Sequence, residues 1–521
     1  MKPIKNVLIV GGGTAGWLTA AFMARTIGTS GPDGVNITLV ESPEIGIIGV
    51  GEATFPSIRG TLAALGIDEA TFIYECNATF KQGIQFVNWV RPKGAPGADH
   101  YFHPFNLPSQ RSGAPELLPY WLQGAAAPGV AFAAAATIQK HVVDAFHGPR
   151  HLDEKDYAGA LNYAYHFDTA RFAGLLSKHA QGLGVRHVSA NVERVELADD
   201  GSIGAVVTKE AGTLTADLYI DCSGFRSLLI GQALGEPFHS IRDTLFVDRA
   251  LALQIPYPKA DTPINSYTLA TAHEAGWTWD IGLQRRRGVG YAYSSRHTSD
   301  ERAAEILHGY LGPDGDAIEP KMLKLNTGYR DAHWVKNCVA VGLAGGFVEP
   351  LESSGICQIE TAAYLVSYLF PRDGDMAPVA KSYNKLMKAR YERIVDFIKM
   401  HYCLTQRTDS AFWTDNTDPA TIPDGLRDKL AMWRCRPPHR LDFVVDLEMY
   451  PPTSWQYVLY GMEFKTTMSA NAVATSRFEE ARREFELVAQ MGPRAVADLP
   501  THRALVEALC ARHLSRLAKA A

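Results

Sequence analysis

Residues 6–16 read Asn-Val-Leu-Ile-Val-Gly-Gly-Gly-Thr-Ala-Gly, an apolar run that leads directly into a glycine-rich turn. Residues 17–27 follow as an apolar stretch with the length of a helix, and residues 35–40 form a second short apolar run that ends at Glu41. Strand, glycine turn, helix and strand in this order predict the opening unit of a Rossmann-like fold.

The spacing of the glycines gives this unit a chemical meaning. Gly11 permits the tight turn, Gly13 lets the backbone approach a pyrophosphate, and Gly16 lets the helix pack on the strand. Glu41 lies 25 positions beyond Gly16, where a carboxylate accepts hydrogen bonds from a ribose hydroxyl. The pattern predicts that this unit binds an adenine dinucleotide; a purely structural β–α turn is the alternative.

Two later segments return to the same kind of turn. Residues 217–224 and 337–342 are each a buried strand followed by small residues. This arrangement resembles the FAD-dependent monooxygenase superfamily more than the nicotinamide dehydrogenases. No second glycine fingerprint is present for NAD(P)H, so electrons for a bound FAD are expected to come from outside.

Composition narrows the class of protein. The 521 residues suggest two to four structural units, and the net charge of −5 argues against nucleic acid or an anionic membrane as the main partner. The seven cysteines contain no C-x-x-C pair, which predicts a reducing compartment and no metal site. We see no signal peptide and no run of 18 apolar residues, so the sequence predicts a soluble, cytoplasmic protein.

The remaining chain alternates between helical and strand-like segments. Residues 57–89, which include Lys81, are predicted to be mostly helical, and residues 92–149 to be an irregular insertion. A three-stranded antiparallel meander is predicted over 185–197, 203–208 and 214–220, and a larger antiparallel sheet over 246–294. Four helices are predicted beyond Cys357: 359–370, 379–401, 470–491 and 503–520.

Seven motifs, taken in order, resemble the flavin-dependent halogenases of the tryptophan halogenase family over nearly the whole chain. They are Gly11 to Gly16, Gly49-Val50-Gly51-Glu52-Ala53-Thr54, Lys81, His103-Pro104-Phe105, Asp221-Cys222-Ser223-Gly224-Phe225-Arg226, Trp277-Thr278-Trp279-Asp280-Ile281 and Glu349-Pro350-Leu351-Glu352-Ser353-Ser354-Gly355. Each motif is weak alone, and their order and spacing make the resemblance specific.

The resemblance implies a reaction and roles for residues. In the family, reduced FAD and O2 give a C4a-hydroperoxide, and chloride or bromide attacks it to form hypohalous acid. Lys81 would then receive the hypohalous acid beside an electron-rich aromatic ring, and Glu352 would stabilise the cationic intermediate or take its proton. The backbone N–H groups of Ser354 and Gly355 would hold the halide, and Ser353 would lie between the two sites.

The resemblance also assigns the remaining site residues. The cofactor-binding set is Gly11, Gly13, Thr14, Ala15, Gly16, Glu41, Val50, Gly51, Ala53, Val192, Gly342 and Ile356. The residues of the substrate site and the tunnel are His103, Phe105, Trp277, Trp279, Ser353 and Trp455. No metal is expected.

Two features depart from the family pattern. The two-tryptophan motif usually ends in Ile-Pro, whereas Gly282 follows Ile281 here, and Ser354 stands where many members have Thr. The clamp for the amino acid carboxylate of free tryptophan is not recognisable. We therefore expect indole or a larger indole derivative as substrate, and poor turnover of free tryptophan.

The predicted fold class is α/β: an FAD-binding Rossmann-like module of the flavin monooxygenase type with an antiparallel sheet, plus a mainly helical substrate-binding module. Residues 1–90 and 155–400 are assigned to the FAD module, and 91–154 and 401–521 to a substrate-binding insertion and C-terminal cap. The expected partners are an aromatic substrate and a separate NAD(P)H-dependent flavin reductase, with a homodimer left open. A flavin-dependent aromatic hydroxylase and a flavin-bound protein without turnover are the alternatives.

Overall fold

The computed structural model describes residues 2–46, 51–109, 113–315, 318–444, 448–468 and 477–520. The chain divides into two compact units, each assembled from three separate segments. The first unit comprises Met1–Asp68, Phe167–Ile241 and Asn326–Glu392. The second unit comprises Glu69–His166, Arg242–Leu325 and Arg393–Ala521.

The strands of the described residues follow in chain order. They are β1 Asn6–Val10, β2 Asn36–Glu41, β3 Glu52–Ala53, β4 Thr79–Lys81, β5 Gly83–Val87, β6 His100–Pro104, β7 Ala164–Phe167, β8 Arg186–Ser189, β9 Val192–Leu197, β10 Ile203–Thr208, β11 Gly212–Leu214, β12 Leu218–Asp221, β13 His239–Ser240, β14 Arg249–Pro256, β15 Thr268–Ala272, β16 Gly276–Gly282, β17 Arg286–Tyr293, β18 Lys321–Lys324, β19 Gly328–Tyr329, β20 Trp334–Val335, β21 Cys338–Ala340 and β22 Gly346–Phe347.

The α-helices are named in the same way. They are α1 Thr14–Ile27, α2 Ser57–Leu65, α3 Glu69–Glu75, α4 Leu117–Leu122, α5 Phe132–Ala136, α6 Gln139–Asp144, α7 Thr169–Gly182, α8 Asp300–Leu311, α9 Ser354–Tyr368, α10 Met376–Cys403, α11 Ala411–Thr417, α12 Asp424–Trp433, α13 Pro452–Gly461, α14 Phe478–Asp498 and α15 His502–Ala520. No helix of the described ranges is long and apolar enough to cross a membrane.

The first unit is built around a sheet in the order β20-β21-β12-β1-β2-β8, in which β21, β12, β1, β2 and β8 run parallel. Helices α7 and α9 pack on α1. Because the central strands are covered by helices, they are apolar along their length, and Leu8, Val10 and Tyr219 are buried in one core. This is the predicted Rossmann-like α/β module.

The second unit contains a larger sheet in the order β18-β14-β17-β16-β15-β5-β6. All neighbouring strands are antiparallel except β15 and β5. Residues of β14 and β17 pack against α8, with Leu251, Val289 and Leu307 in the core. The antiparallel sheet predicted over 246–294 is confirmed. The helices predicted over 359–370, 379–401 and 503–520 are present as α9, α10 and α15, and α14 covers residues 478–491 of the helix predicted over 470–491, whose residues 470–476 lie outside the described ranges. Helices α11, α12 and α13 were not individually predicted.

Two predicted elements are wrong. The helical segment predicted over 57–89 ends at Glu75, since Asn77 has a positive φ of 52° and the chain continues as strands, so Lys81 lies on β4. The predicted meander is also split: 185–197 contains two strands, of which β8 joins the parallel sheet, and β12 pairs with β1 instead of β10. The third strand beside β10 is the short β11.

The compact units do not coincide with the predicted partition into modules. Residues 69–90 and 242–325 were assigned to the FAD module but belong to the second unit. Residues 92–149, predicted to be irregular, contain β6 and three short helices, α4 to α6. Which module carries which function remains a prediction.

Candidate active site

The glycine turn of the first unit has the geometry of a dinucleotide cradle. Gly11 has a φ of +115°, and a Cβ atom there would lie 2.2 Å from the carbonyl oxygen of Cys222. A Cβ atom at Gly16 would lie 1.9 Å from the carbonyl oxygen of Gly11. At Gly13, by contrast, a Cβ atom would meet nothing within 4 Å. Two glycines are therefore required by packing, and the third borders open space at the N-terminus of α1, where a phosphate is favoured.

Glu41, at the end of β2, closes one side of this turn. Its carboxylate lies directly over Gly12, where a Cβ atom would be 1.5 Å from Oε2. His187 Nε2 on β8 lies 2.8 Å from Glu41 Oε1, and the His187 ring packs edge-on against Trp17 at 5.3 Å. His187 thus orients Glu41, a contact that sequence reasoning missed because no local pattern marks it.

The other described cofactor candidates belong to the first unit. A Cβ atom at Gly342, where φ is +67°, would lie 2.9 Å from the Cβ of Ala15, so the turn after β21 meets the start of α1. Val192 begins β9 and Ala53 ends β3, while Gly51 has a φ of +103°. Thr14 begins α1 and Ile356 belongs to the first turn of α9. Val50 lies outside the described residues.

The segment before α9 has an unusual backbone. Glu352 and Ser353 both have left-handed dihedrals, with φ of 63° and 60°, although neither is glycine. Such conformations cost about 1–3 kcal/mol each and cluster at functional sites. Both side chains are buried, and α9 begins at Ser354.

The amides at the start of α9 suit an anion. The first N–H groups of an α-helix have no carbonyl partner within the helix, so those of Ser354 and Gly355 are oriented toward its N-terminal side. Gly355 is exposed, and a Cβ atom there would meet nothing within 4 Å. The turn therefore combines the buried carboxyl group of Glu352 with a helix N-terminus at which Gly355 is exposed.

A buried carboxyl group also joins α9 to α2. Ser57 Oγ donates a 2.9 Å hydrogen bond to Glu360 Oε2. Burial raises the pKa of Glu360 to about 7, although hydrogen bonds from Thr61 and Ser57 oppose the rise.

Lys81 is the last residue of β4 in the second unit and is fully buried. Its Nζ lies 5.2 Å from the centre of the Phe105 ring, a cation–π distance. His166, opposite Thr79 on β7, has a pKa well below its usual value because of burial and the positive charge of Lys81. The buried amine thus lies beside an aromatic ring and near a neutral histidine.

A buried ionic network supports the strand that pairs with β4. Arg150 bonds Glu69 Oε2, while the hydroxyl groups of Tyr163 and Tyr165 donate to Glu69 Oε1 at 2.8 and 2.5 Å. Tyr165 lies opposite Phe80 in the pairing of β4 with β7. Burial and the Glu69 carboxylate raise the pKa of both tyrosines, so both remain hydrogen-bond donors.

His103 and Phe105 are buried on and just after β6. Their rings pack edge-on at 6.3 Å, and His103 Nε2 lies 2.8 Å from the hydroxyl oxygen of Ser454 on α13. Lys81, Phe105 and His103, three of the predicted site residues, are thus brought together. Ser454 was missed, since nothing in the sequence signals its bond to His103.

The second unit also has a cavity of about 840 Å³, whose lining includes Leu107, which follows Phe105 closely in the chain. It is lined by Leu107, Leu118, Phe132, Leu441 and Gln456, together with Glu116 and Arg440, among others. Leu107 and Leu441 are 50% and 83% exposed, which is high for leucine. The cavity therefore has an apolar rim and two charged groups of opposite sign.

The two tryptophans of the W-x-W motif lie on β16 with their rings 6.2 Å apart, as the period-two pattern predicts. Trp279 covers Gly290 of β17, where a Cβ atom would lie 2.1 Å from the Trp279 ring. At Gly282 a Cβ atom would lie 2.7 Å from Ile264 Cγ2. The glycine that replaces the family's proline is therefore tightly packed.

Trp455 has a different environment. It is fully buried on α13, with the rings of Phe397, Phe443 and Trp433 at 5.0, 5.4 and 5.8 Å. Its neighbours Thr453 and Gln456 line the cavity, so Trp455 packs close behind that wall. Its role as a substrate residue stays a prediction. Glu352, Ser353, Ser354 and Gly355 belong to the first unit, and the other substrate candidates to the second.

Comparison with known proteins identifies the family. The tryptophan halogenase family model matches residues 6–477. The chain is 36% identical to tryptophan 6-halogenase of Streptomyces toxytricini over 95% of this chain and 96% of that protein. It is 37% identical to tryptophan 7-halogenase of Lentzea aerocolonigenes over 83% and 82% of the two chains.

A solved structure agrees with these matches. The crystal structure of a tryptophan halogenase from Shewanella frigidimarina superposes with a TM-score of 0.93, at 40% identity and 98% coverage of both chains. The glycine cradle, the turn before α9 and the buried Lys81 are thus parts of a shared fold. The chain belongs to the tryptophan halogenase family and is an oxidoreductase of the flavin-dependent halogenase type.

Proposed function

We propose that this protein uses reduced FAD, O2 and chloride or bromide to halogenate an indole-type ring, with Lys81 directing the electrophile. The observation that carries the proposal is the burial of Lys81 against Phe105, 5.2 Å from its ring centre, in a unit whose cavity suits an aromatic ligand. A buried amine in an apolar site is well suited to hold a neutral, polar oxidant by hydrogen bonding.

The cofactor would be held by the first unit. The open space beside Gly13 fits a pyrophosphate, and Glu41 would accept from the ribose. Val50, Gly51, Ala53, Val192, Gly342 and Ile356 would complete the cofactor site. Bound reduced FAD would supply, with O2, the oxidising power that converts halide into hypohalous acid. A separate NAD(P)H-dependent reductase would supply the reduced FAD.

The turn before α9 would bind the halide, and its Glu352 carboxylate would act on the substrate ring. Backbone N–H groups of Ser354 and Gly355 would hold the anion without giving it a proton. Lys81 Nζ would donate a hydrogen bond to hypohalous acid or carry its halogen as a haloamine. The Glu352 carboxylate would face the positive charge that develops on the ring and take the proton that leaves it.

The substrate is proposed to be indole or a larger indole derivative, with poor turnover of free tryptophan. The volume of the cavity falls in the range of about 300–1,000 Å³ that holds drug-sized ligands, and its rim exposes Leu107 and Leu441. Exposed leucines around an opening favour an indole that carries an apolar or peptide-like group. His103 and Phe105 would lie beside the reacting ring, and Trp277, Trp279 and Ser353 along the path of hypohalous acid.

The test combines the protein with FAD, a flavin reductase, NADH and O2, and offers indole, tryptophan and an N-acylated tryptophan amide with each halide. We expect halogenated product by mass spectrometry, in larger yield from indole and the amide than from tryptophan. Product formed at the same rate without halide, carrying a hydroxyl group, would instead establish a hydroxylase.

The Lys81→Ala variant tests the mechanism. We expect product formation to fall at least about 100-fold, the scale of a positioned proton donor. Release of hypohalous acid to a scavenger should continue, because halide oxidation precedes the step that needs Lys81. Lys140→Ala is the matched control, since Lys140 lies over Phe102 at 6.0 Å and has no assigned role. Full activity of Lys81→Ala would refute the assignment.

A further inference from the structure

Lys81 is flanked by residues that are held from distant parts of the chain. The N–H group of Phe80, immediately before Lys81, donates a 2.9 Å hydrogen bond to His502 Nε2. The other ring nitrogen, His502 Nδ1, lies 3.0 Å from the carbonyl oxygen of Ile264. A carbonyl oxygen only accepts, so Nδ1 carries the proton and Nε2 is free to accept. Both contacts require the neutral ring in this one tautomer.

The residue after Lys81 is held in a similar way. The N–H group of Gln82 donates to the carbonyl oxygen of Ser266 at 2.7 Å. Gln82 Nε2 donates to the hydroxyl oxygen of Ser266 at 3.0 Å and to the carbonyl oxygen of His147 at 2.9 Å. We call His502, Gln82 and Ser266 the Lys81 clamp. All three side chains are fully buried.

The clamp is anchored on a common framework. His502 is the first residue of α15, and its N–H group donates to the carbonyl oxygen of Phe146 at 2.8 Å. Thr501 forms a β-bridge with His147, whose carbonyl oxygen accepts from Gln82. The segment around His147 therefore connects the two halves of the clamp, on either side of Lys81.

The clamp supplies a hydrogen-bond acceptor that strand β4 lacks on its unpaired side. In the three-stranded sheet β4 lies at an edge, so it pairs with β7 on one side only. Edge strands leave N–H groups without a ladder partner, and a buried N–H group must find one. His502 supplies the acceptor at Phe80, one residue from the amine, and burial lowers the pKa of His502 to about 4 so that the ring stays neutral.

We propose that His502 and Gln82 are positioning residues that fix the backbone on both sides of Lys81 and thereby set where its Nζ lies. The inference rests on the proposed function, in which Lys81 Nζ must meet both the oxidant and the ring. A lysine side chain has four rotatable bonds, so an amine can be placed precisely only if the backbone beneath it is fixed. Displacements of about 1 Å cost about 100-fold in rate in such geometries.

Two substitutions at 502 separate the contacts. His502→Gln carries an amide oxygen at about the position of Nε2 and keeps an acceptor for Phe80. His502→Asn is shorter, so its amide can reach Ile264 but leaves the Phe80 N–H group unpaired. We expect halogenated product per FADH2 consumed to fall about 10-fold or more in His502→Asn and to stay near the wild-type value in His502→Gln.

A second readout distinguishes positioning from folding. In His502→Asn, hypohalous acid released to a scavenger should rise as product falls, because the oxidant is still made but is no longer directed. Gln82→Met should show the same shift. The inference is overturned if product and released oxidant fall together, in proportion to the folded fraction. It is also overturned if the His502→Asn and His502→Gln variants give equal yields.

A third readout does not need catalysis. Acylation of Lys81 in the protein without cofactor, measured by peptide mass spectrometry against Lys140 as internal reference, reports the freedom of the amine. We expect labelling to be about 10-fold faster in His502→Asn than in wild type and His502→Gln. If labelling of Lys81 is the same in all three proteins, the positioning role of His502 is wrong. If labelling changes as expected but the wild type halogenates nothing, only the proposed function is wrong.

Discussion

The hydroxyl group of Thr79 donates a 2.5 Å hydrogen bond to the carbonyl oxygen of Gly282. The bond joins β4, which ends at Lys81, to β16, which carries Trp277 and Trp279. The family's two-tryptophan motif and the candidate lysine are therefore linked through one buried hydroxyl group.

Replacing Thr79 with Val removes this donor and keeps the shape of the side chain. The carbonyl oxygen of Gly282 loses a buried partner, so we expect the free energy of unfolding to fall by about 1–2 kcal/mol in urea titrations. Product yield per FADH2 should fall as well. Thr79→Ser keeps the hydroxyl group and serves as the control; a Thr79→Val variant as stable and as productive as wild type would show that the hydrogen bond contributes nothing.

A substitution at Gly13 in the glycine cradle should affect cofactor binding without affecting folding. Gly13→Ala adds a methyl group into open space, so stability without cofactor should change by less than about 0.5 kcal/mol. FAD affinity, measured by fluorescence titration, should fall at least about 10-fold, because the methyl group occupies the place of the pyrophosphate.

Two further glycines supply the comparison for that variant. Gly11→Ala should destabilise the protein itself, since its Cβ would collide with Cys222 and its φ is +115°. Gly60→Ala on α2 meets nothing within 4 Å and should leave FAD affinity unchanged. If Gly13→Ala binds FAD as wild type does, the cradle does not hold the pyrophosphate.

Glu360 gives a pH prediction. Burial raises the pKa of Glu360 to about 7 in the folded protein from the ordinary glutamate value of 4.5, so between these values the folded state binds a proton that the unfolded state does not. The stabilisation from this group is therefore complete below pH 4.5 and is lost as the pH rises through 7. The loss amounts to about 3 kcal/mol at most.

Glu360→Gln removes this titration. Its free energy of unfolding, measured in urea from pH 4.5 to 8, should improve relative to wild type as the pH rises. A difference between the two proteins that stays constant over the whole range would contradict the raised pKa.

Removing one partner of the buried pair of Arg150 and Glu69 should destabilise the protein strongly. Arg150→Met leaves the Glu69 carboxylate in the core without its cation, which should cost about 3–5 kcal/mol in urea or thermal unfolding. The double variant Arg150→Met with Glu69→Gln should lose less than the sum of its parts. Lys140→Met, which breaks the partly exposed i,i+4 pair with Asp144, is expected to cost below about 1 kcal/mol.

Much of the fold was predictable because its signals are local. The spacing of Gly11, Gly13 and Gly16 follows from the contacts of a single β–α turn, and those contacts are present. The alternation of Trp277, Trp279 and Ile281 likewise specified one face of a strand. Membership of the family followed from the order of such motifs along the chain.

The errors came where distant residues decide the structure. The segment before β12 joins the parallel sheet because Asp217 accepts from the N–H groups of Lys5 and Asn6, more than 200 positions away. Lys81 lies on a strand because β4 pairs with the distant β7, and its neighbour Phe80 bonds His502, 422 positions along the chain. No periodicity within a window of the sequence records such partners.

The same limit applies to the candidate site. Lys81, His103 and Phe105 were identified from family motifs and are indeed neighbours. Their supports, Ser454 and Gln82, were not, since a serine or glutamine acquires its role only from the fold. The assignments of Lys81 and Glu352 to catalysis remain predictions.

The contact between Trp279 and Gly290 has a practical consequence for enzyme engineering. Libraries designed to widen the proposed path of hypohalous acid would naturally randomise the residues around the paired indoles. Any side chain at 290 would occupy the volume of the Trp279 ring and force that indole out, whatever its chemistry. Position 290 should therefore be kept fixed while its neighbours are diversified, and its tolerance in a deep mutational scan should be near zero.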